Sequence, residues 1–313
     1  MKLIDIIVPC YNEEESVKLF YDEITKTFNN MNKEIDYKII FIDDGSIDNT
    51  LDNMKKLSDS DSKVKYISFS RNFGKESALY AGLSNSHGDY AVIMDVDLQD
   101  PPSLLPEMID TIKNSDYDIV ATRRTTRVGE PPIRSFFARM FYKIINKVSE
   151  LKLVDGARDY RIMTRQSVDA LLELKEYNRF SKGLFNWIGF NTKWISYENI
   201  ERTTGETSWS FWGLFRYSIE GIVAFTTAPL TISTLLGITF SIIAFLIIII
   251  LLIRHFLFSD PVQGWTSTIC IILLLGGIQL LSIGILGKYL EKTYTEIKNR
   301  PIYIEQESNI KKE

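Results

Sequence analysis

Residues 91–102 read AVIMDVDLQDPP. The run from Tyr90 to Met94 is apolar or aromatic and reads as a buried strand. It leads straight into Asp95, Asp97 and Asp100, with Gln99 between the last two. In an extended chain, side chains two apart project to the same side, which would bring Asp95 and Asp97 together. Two such carboxylates repel each other unless a cation lies between them. A hard divalent ion, Mg²⁺ or Mn²⁺, still carrying a diphosphate and waters, suits the pair, and Gln99 can add a neutral oxygen. Pro101 and Pro102 stop the strand and fix where the carboxylates sit. An acidic surface turn shows the same Asp-x-Asp spacing, so the neighbouring segments have to decide between the two.

Working outward, the upstream chain alternates apolar runs with amphipathic ones. Residues 3–8 (LIDIIV) read as a strand ending at Pro9, followed by Tyr11, Asn12, Glu13 and a helix to about Phe28. Residues 37–42 (YKIIFI) end in Asp43 and Asp44, and Ser46 or Asp48 can cap the helix that carries Met54 and Leu57. Residues 64–69 (VKYISF) lead to Arg71, Asn72 and Lys75 at a further helix start. A helix over 103–113 and a strand over 118–122 follow the acidic stretch, and YRIM before Thr164 reads as another strand with a capped helix after it. This alternation predicts an α/β domain with a mostly parallel sheet covered on both faces. Ligands of such sheets bind at the carboxyl ends of the strands, where these polar residues gather. No G-x-G-x-x-G follows the first strand and no G-x-x-x-x-G-K-[ST] occurs, which excludes a dinucleotide fingerprint and a P-loop. A nucleotide with a metal-bridged diphosphate remains. Asp43 or Asp44 would take its base or ribose, and Arg71 and Lys75 would neutralise phosphate; a solvated helix start is the plainer reading of that basic pair.

Composition narrows the class. The chain has 313 residues, 45% of them hydrophobic, and a formal charge of -4, which argues against nucleic-acid binding. Cys10 and Cys270 stand in unlike settings with no disulfide or zinc spacing, and His87 and His255 leave little room for a histidine-based site. Met1 leads directly into a strand, so no cleavable signal is expected. The last third differs in character. From Pro229 to Ile253 the chain is apolar for about 25 residues, enough to cross about 30 Å of hydrocarbon, and Thr266 to Leu286 forms a second such stretch. Gly276, Gly277, Gly284 and Gly287 would let two helices approach closely. Lys288, Lys292, Lys298 and Arg300 follow the second stretch against Arg254 in the short loop, which places both termini and the α/β domain in the cytoplasm. A buried soluble helix pair is the alternative. Arg123, Arg124, Arg127, Arg134 and Arg139 precede or flank an amphipathic helix over about 133–149, read as lying at a membrane surface or, alternatively, facing a core. Trp209, Trp212, Phe215 and Tyr217 mark a second interfacial segment. The polar tail after Pro301 reads as disordered.

VPCYNEEES, IDDGSIDNT, SRNFGKESALYAGL, MDVDLQDPP, RDYRIMTR and the RTTGETSWS loop together resemble the family 2 glycosyltransferases of the GT-A fold. Within that family they resemble the polyprenyl-phosphate glycosyltransferases, dolichyl-phosphate mannose synthases and bactoprenol glucosyltransferases, over nearly the whole chain. The resemblance implies that Pro9, Tyr11, Glu13 and Asp43 bind the nucleotide, with Asp44 beside them. Asp95, Asp97 and Gln99 would hold the metal and donor diphosphate, and Asp159 would sit by the acceptor phosphate. Arg202 would help close the site, and Arg127, Arg134 and Arg161 are the candidates for the lipid phosphate. The Ser-Lys usual after the late glycine reads Thr207-Ser208 here, one positive charge fewer.

The implied reaction is transfer of a hexose, with inversion, from a nucleotide sugar to undecaprenyl (polyprenyl) phosphate at the plasma membrane, making a lipid-linked sugar for cell-envelope glycans. UDP-glucose is the first donor expected and UDP-N-acetylglucosamine the second. The domain plan is a cytoplasmic transferase domain over 1–205, a juxtamembrane segment over 206–228, a two-helix hairpin over 229–290 and a tail over 291–313. Self-association, for example as a tetramer, would suit a hairpin with glycines and little bulk. A processive polysaccharide synthase would want a Gln-x-x-Arg-Trp motif and more spans. A non-catalytic scaffold or translocator should have lost the acidic pairs, yet Asp43, Asp44, Asp95, Asp97 and Asp159 are all present.

Overall fold

The computed structural model describes residues 2–31, 35–125, 154–198, 226–258 and 264–310, with Asn146 and Val223. The interfacial helix expected over 133–149, nearly all of the 206–228 segment, and Arg127, Arg134 and Arg202 lie outside the described residues. The chain runs β1 (Lys2–Cys10), α1 (Ser16–Asn29), β2 (Ile35–Asp43), α2 (Thr50–Ser60), β3 (Val64–Phe69), α3 (Lys75–Ser84) and β4 (Tyr90–Ile93). A 3₁₀ turn (Pro102–Leu104) opens α4 (Leu105–Asn114), followed by β5 (Ile119–Arg124), β6 (Ala157–Thr164), α5 (Arg165–Glu173), α6 (Ser181–Trp187) and β7 (Thr192–Tyr197). Two long helices, α7 (Ala228–Phe258) and α8 (Trp265–Ile297), precede a last strand, β8 (Glu305–Ser308).

The strands form one sheet in the order β7-β5-β6-β4-β1-β2-β3-β8. The pairings are parallel except those of β6 with β4 and β5, and of β8 with β3. Helices cover both faces, which is why LIDIIV is nearly continuous in apolar residues. Ile4, Ile6 and Val8 pack with Phe20, Ile24, Met54 and Met108 on one face. Ile7 packs with Ala78, Leu83, Val168 and Leu184 on the other. Gly82 of α3 lies so close to β1 that a Cβ would stand 2.2 Å from the Ile7 side chain. Asp5 breaks the apolar run for a reason: one of its oxygens accepts the His87 and Gly88 N–H groups at 2.6 and 2.7 Å.

β1 pairs with β2 on one side and β4 on the other, so the strand order reverses there and a crevice opens at their carboxyl ends. The acidic stretch meets this crevice differently from expectation. β4 ends at Ile93, and residues 96–97 form a turn with Leu98 at φ 56°. Asp95 therefore lies past the strand's end and Asp97 on the turn, and the same-side argument for an extended strand does not apply to them.

The tail after Pro301 is ordered, contrary to expectation. β8 pairs along β3, Tyr303 stacks on Phe69 with centroids 4.8 Å apart, and Ser70 N–H donates to the Ile304 carbonyl at 3.0 Å. Lys55 meets Glu307 at 2.5 Å, and the Asn309 side chain accepts the Tyr66 N–H at 2.8 Å. β3 would otherwise expose an unpaired edge, and a polar strand flanked by Tyr303 and Ile310, which pack on the core, covers it.

α7 and α8 are each long and apolar enough to cross a membrane, with mean hydropathy 2.3 over Ala228–Ile247 and 1.2 over Leu274–Ile297. Side chains such as Phe245 and Leu280 are exposed. Among the described residues nothing stands within 4 Å of a Cβ at Gly276, Gly277, Gly284 or Gly287, so these glycines do not mark a close approach to α7 there. α8 also continues past 291 to Ile297, where Glu296 accepts the Tyr177 and Asn178 N–H groups at 3.0 Å each.

Loss of the aromatic stack should loosen the β3 edge. Tyr303→Ala is expected to destabilise the protein by about 2–3 kcal/mol, seen as a lowered Tm of the full chain in detergent; an unchanged Tm would show that the strand is not held by this contact.

Candidate active site

The carboxyl edge of the sheet is built from interlocked loops. After β1, Asn12 takes φ 55°, donates its N–H to Ser46 Oγ at 3.0 Å and accepts the Ile47 N–H at 3.0 Å. Glu13 N–H donates to Thr50 Oγ1 at 2.7 Å, and Glu14 accepts from Asn49 N–H at 3.0 Å. The loops after β1 and β2 thus form one unit. Tyr11 stands 46% exposed at its rim, free to offer a ring face, while Asp43 is 1% exposed at its floor. Asp43 accepts from Ser46 N–H at 3.0 Å and from Ser68 Oγ at 2.8 Å.

Asp44 does something else. Its carboxylate accepts the Phe73 N–H at 2.6 Å and the Gly74 N–H at 2.9 Å, fixing the turn before α3. Gly45, at φ 69°, is needed for this approach, since a Cβ there would meet the Arg71 backbone at 2.4 Å. Arg71 itself lies on the Phe73 ring, 3.9 Å from its centroid.

The turn that Asp44 fixes presents Lys75. Its ammonium is 2.6 Å from Asp95 and 2.6 Å from Asp159. The sheet register explains the meeting. β6 runs antiparallel to β4 with Ile93 opposite Arg161, so the chain leaving β4 toward Asp95 and the chain entering β6 through Asp159 lie at the same edge. Burial works against charge on Lys75, but the two carboxylates outweigh it and raise its pKa far above the usual range. Burial likewise opposes charge on Asp159; Lys75, Lys182 and Arg161 outweigh it and hold that carboxyl well below the usual range.

A second buried pair braces the acidic turn. Arg158 Nε donates to Asp100 at 2.9 Å, Tyr197 OH donates to the same carboxylate, and Arg158 Nη2 donates to the Gln99 amide oxygen at 3.3 Å. Burial pushes the Asp100 carboxyl up, with Arg158 pulling against it.

The sequence pattern of glycosyl transferase family 2 matches residues 5–172. The Bacillus subtilis (strain 168) protein CsbB, named as a glycosyltransferase, is 46% identical over 308 residues, covering 98% of this chain and 92% of that protein.

The chain belongs to glycosyl transferase family 2.

The SfII prophage-derived bactoprenol glucosyl transferase of Shigella flexneri is 39% identical over 306 residues, 98% of each chain. Among solved structures, the Mycobacterium tuberculosis glucosyl-3-phosphoglycerate synthase with Mn²⁺, UDP-glucose and phosphoglyceric acid has TM-score 0.47 and 19% identity, covering 71% of this chain and 78% of that one.

The structure of this glycosyltransferase brings Pro9, Tyr11, Glu13, Asp43, Asp44, Lys75, Asp95, Asp97 and Asp159 to one edge, and corrects the reading of others. Arg161 is 2% exposed, stacks on Phe185 and donates to the Arg158 and Asp159 carbonyls, so in this structure it braces β6. The Gln99 oxygen expected for the metal accepts from Arg158, because Arg158, neutralised by Asp100, lies along the turn. Asp100, Arg158 and Lys182 were not singled out as site residues from sequence. Asp100 lies in the 91–102 stretch, but its partner Arg158 is 58 positions away.

Among the described residues no three His, Cys, Asp or Glu side chains gather for a metal. Asp95, just past the end of β4, and Asp97, on the turn after it, are the carboxylates that would hold Mg²⁺ or Mn²⁺, an ion that keeps waters and binds through one or two carboxylates plus substrate phosphates. They do not form a complete cage, and Lys75 already engages Asp95.

Burial pushes the Asp44 carboxyl up to about 6 against the pull of the Phe73 and Gly74 N–H groups. In the unfolded chain it titrates near ~3.9. Between these values the folded state holds more protons, so this group's contribution to stability falls as pH rises through the window and is flat above it. Asp44→Asn cannot titrate there. Its stability relative to the unaltered protein should therefore rise by about 2 kcal/mol between pH ~4 and ~7, read as a difference in Tm; a pH-independent difference would contradict the assignment.

Proposed function

We propose that this glycosyltransferase moves a hexose from a UDP-sugar, UDP-glucose first and UDP-N-acetylglucosamine second, to undecaprenyl phosphate at the cytoplasmic face of the membrane. The observation that carries the reading is the meeting of Asp95 and Asp159 at one ammonium, 2.6 Å from each. It joins the end of the acidic turn, which suits a nucleotide diphosphate, to a second carboxylate that can face an acceptor. The names of relatives that match nearly their full length support a polyprenyl-phosphate acceptor and glucose. α7 and α8 support membrane attachment, and the basic residues after α8 favour a cytoplasmic domain and termini.

In this reading Tyr11 offers a ring face to the base, and Pro9, Glu13 and Asp43 shape the nucleotide floor. Asp95 and Asp97 hold Mg²⁺ or Mn²⁺, which when bound offsets charge on the leaving diphosphate. An oxygen of the acceptor monophosphate forms the new bond to the anomeric carbon. The bond from that carbon to the UDP oxygen breaks, the electron pair leaves with UDP, and the configuration inverts. The acceptor phosphate, with a second pKa near ~6, is already a nucleophile. Asp159 therefore orients the acceptor. Held far below its usual range by neighbouring cations, it is ill suited to take a proton. Arg127, Arg134 and Arg202 are proposed to meet the lipid phosphate and close the site. Their arrangement lies outside the described residues.

Purified full-length protein in detergent, given undecaprenyl phosphate, Mg²⁺ or Mn²⁺ and a panel of radiolabelled nucleotide sugars, should move label from UDP-glucose into the organic phase. Chelator should abolish transfer, and Asp97→Asn should lower it by about 10²-fold or more. Absence of transfer from every donor would refute the reading, and long polymer as product would favour a processive synthase.

A further inference from the structure

Lys75 is held more firmly than an ordinary lysine at a helix start. Before it, Asp44 grips the Phe73 and Gly74 N–H groups at 2.6 and 2.9 Å. After it, Glu76 accepts the Ser181 N–H at 2.9 Å and the Ser181 hydroxyl. The backbone at Lys75 is thus anchored from β2 on one side and α6 on the other. From this anchored backbone its ammonium reaches Asp95 at 2.6 Å.

Asp95 is also one of the carboxylates that fit a divalent ion. An ammonium and a divalent cation on the same carboxylate repel each other strongly, because both are concentrated positive charges at short range. A second carboxylate, Asp159, lies 2.6 Å from the same ammonium and can keep it when Asp95 is engaged elsewhere. Asp159 stands on β6, beside Lys182 and Arg161, whose charges act on it as well.

We infer that Lys75 and the divalent ion compete for Asp95, and that metal loading hands the ammonium over to Asp159 and the acceptor's phosphate. Lys75 is then an exchangeable counter-ion that couples the two halves of the site. It weakens metal binding in the absence of the donor diphosphate. It contributes to acceptor capture once the metal and donor are in place. This inference rests on the proposed transfer reaction for the identity of the acceptor, but the competition itself does not depend on which sugar is moved.

The test is Mn²⁺ affinity of the full-length protein in detergent without nucleotide, followed by the electron paramagnetic resonance signal of free Mn²⁺. Lys75→Met should bind Mn²⁺ about tenfold more tightly than the unaltered protein, as expected for removal of a neighbouring like charge. Lys75→Arg, which keeps the charge, should stay near the unaltered affinity. Asp95→Asn should weaken binding both alone and when combined with Lys75→Met. In transfer assays Lys75→Met should raise the acceptor KM more than the donor KM. Equal or weaker Mn²⁺ affinity in Lys75→Met, with a Tm showing a folded protein, would overturn the inference. So would a loss of UDP affinity with no change in Mn²⁺ affinity, which would make Lys75 a plain donor-phosphate ligand. If no nucleotide sugar supports transfer while the Mn²⁺ affinities shift as stated, the proposed reaction fails and the competition stands.

Discussion

The antiparallel placement of β6 beside β4 is the constraint on which the site depends. A parallel strand there would deliver its carboxyl end to the crevice. β6 instead delivers its amino end, so that Arg158 and Asp159 arrive as the chain enters the strand. The entry is tight: Gly156 takes φ 77°, and a Cβ there would meet the Arg124 carbonyl at 2.5 Å. The register then does the chemistry of assembly. Asp159 and Asp95 meet the same Lys75 ammonium, and Arg158 is set where Asp100 and Gln99 can receive it. Burying an arginine and an aspartate together is costly in desolvation, and the pair is worth keeping only if its geometry is good. Here it fixes the turn after β4 from beneath.

The parallel half of the fold was legible in the sequence because its signals are local. Apolar runs such as LIDIIV and YKIIFI end in polar residues at the same edge, and that edge is where the structure gathers Tyr11, Asp43, Asp44, Lys75 and Asp95. The misses were of another kind. β7 and the short α6 carry weak patterns, and β8 is polar because only Tyr303 and Ile310 of its surroundings face a core. The roles of Asp44 and Arg161 could not be read from position. Asp44 sits beside Asp43 in the sequence, yet Asp43 faces Ser46 and Ser68 while Asp44 faces the turn before α3. Successive residues at a strand end point opposite ways, and which neighbour each one meets is decided by the adjoining loop. Arg161 is a phosphate candidate by resemblance; its burial on Phe185 is a tertiary fact.

The membrane-length helices are not appended loosely. The last turn of α8 is bonded to the 177–178 backbone through Glu296, and Thr295 accepts from the Asn178 side chain at 2.7 Å. A few residues on, Ser181 holds Glu76, the neighbour of Lys75. Beyond α8 the chain returns to the sheet as β8 and supplies the Ile304 carbonyl to Ser70, close to Arg71. Two separate attachments thus tie the end of α8 to the loop that presents Lys75. If the acceptor is the lipid proposed above, the height of the site above the helix end matters as much as its chemistry.

The charge around Asp159 bears on what kind of acceptor the site can serve. A base must be able to take a proton near neutral pH, and its efficiency falls as its pKa drops away from the working range. Asp159 has an ammonium at 2.6 Å and further cations nearby, and its carboxyl lies well below the usual range. A sugar hydroxyl, which must lose its proton to attack, would be badly served by such a group. A phosphate monoester largely ionised at neutral pH needs no proton removed. What it needs is positive charge to draw it in and a fixed partner to orient it. In the proposed reaction Lys75 and Lys182 would supply the first, and Asp159, anchored on β6, would supply the second. A carboxylate this strongly neutralised therefore makes more sense beside an anionic acceptor than beside a neutral one.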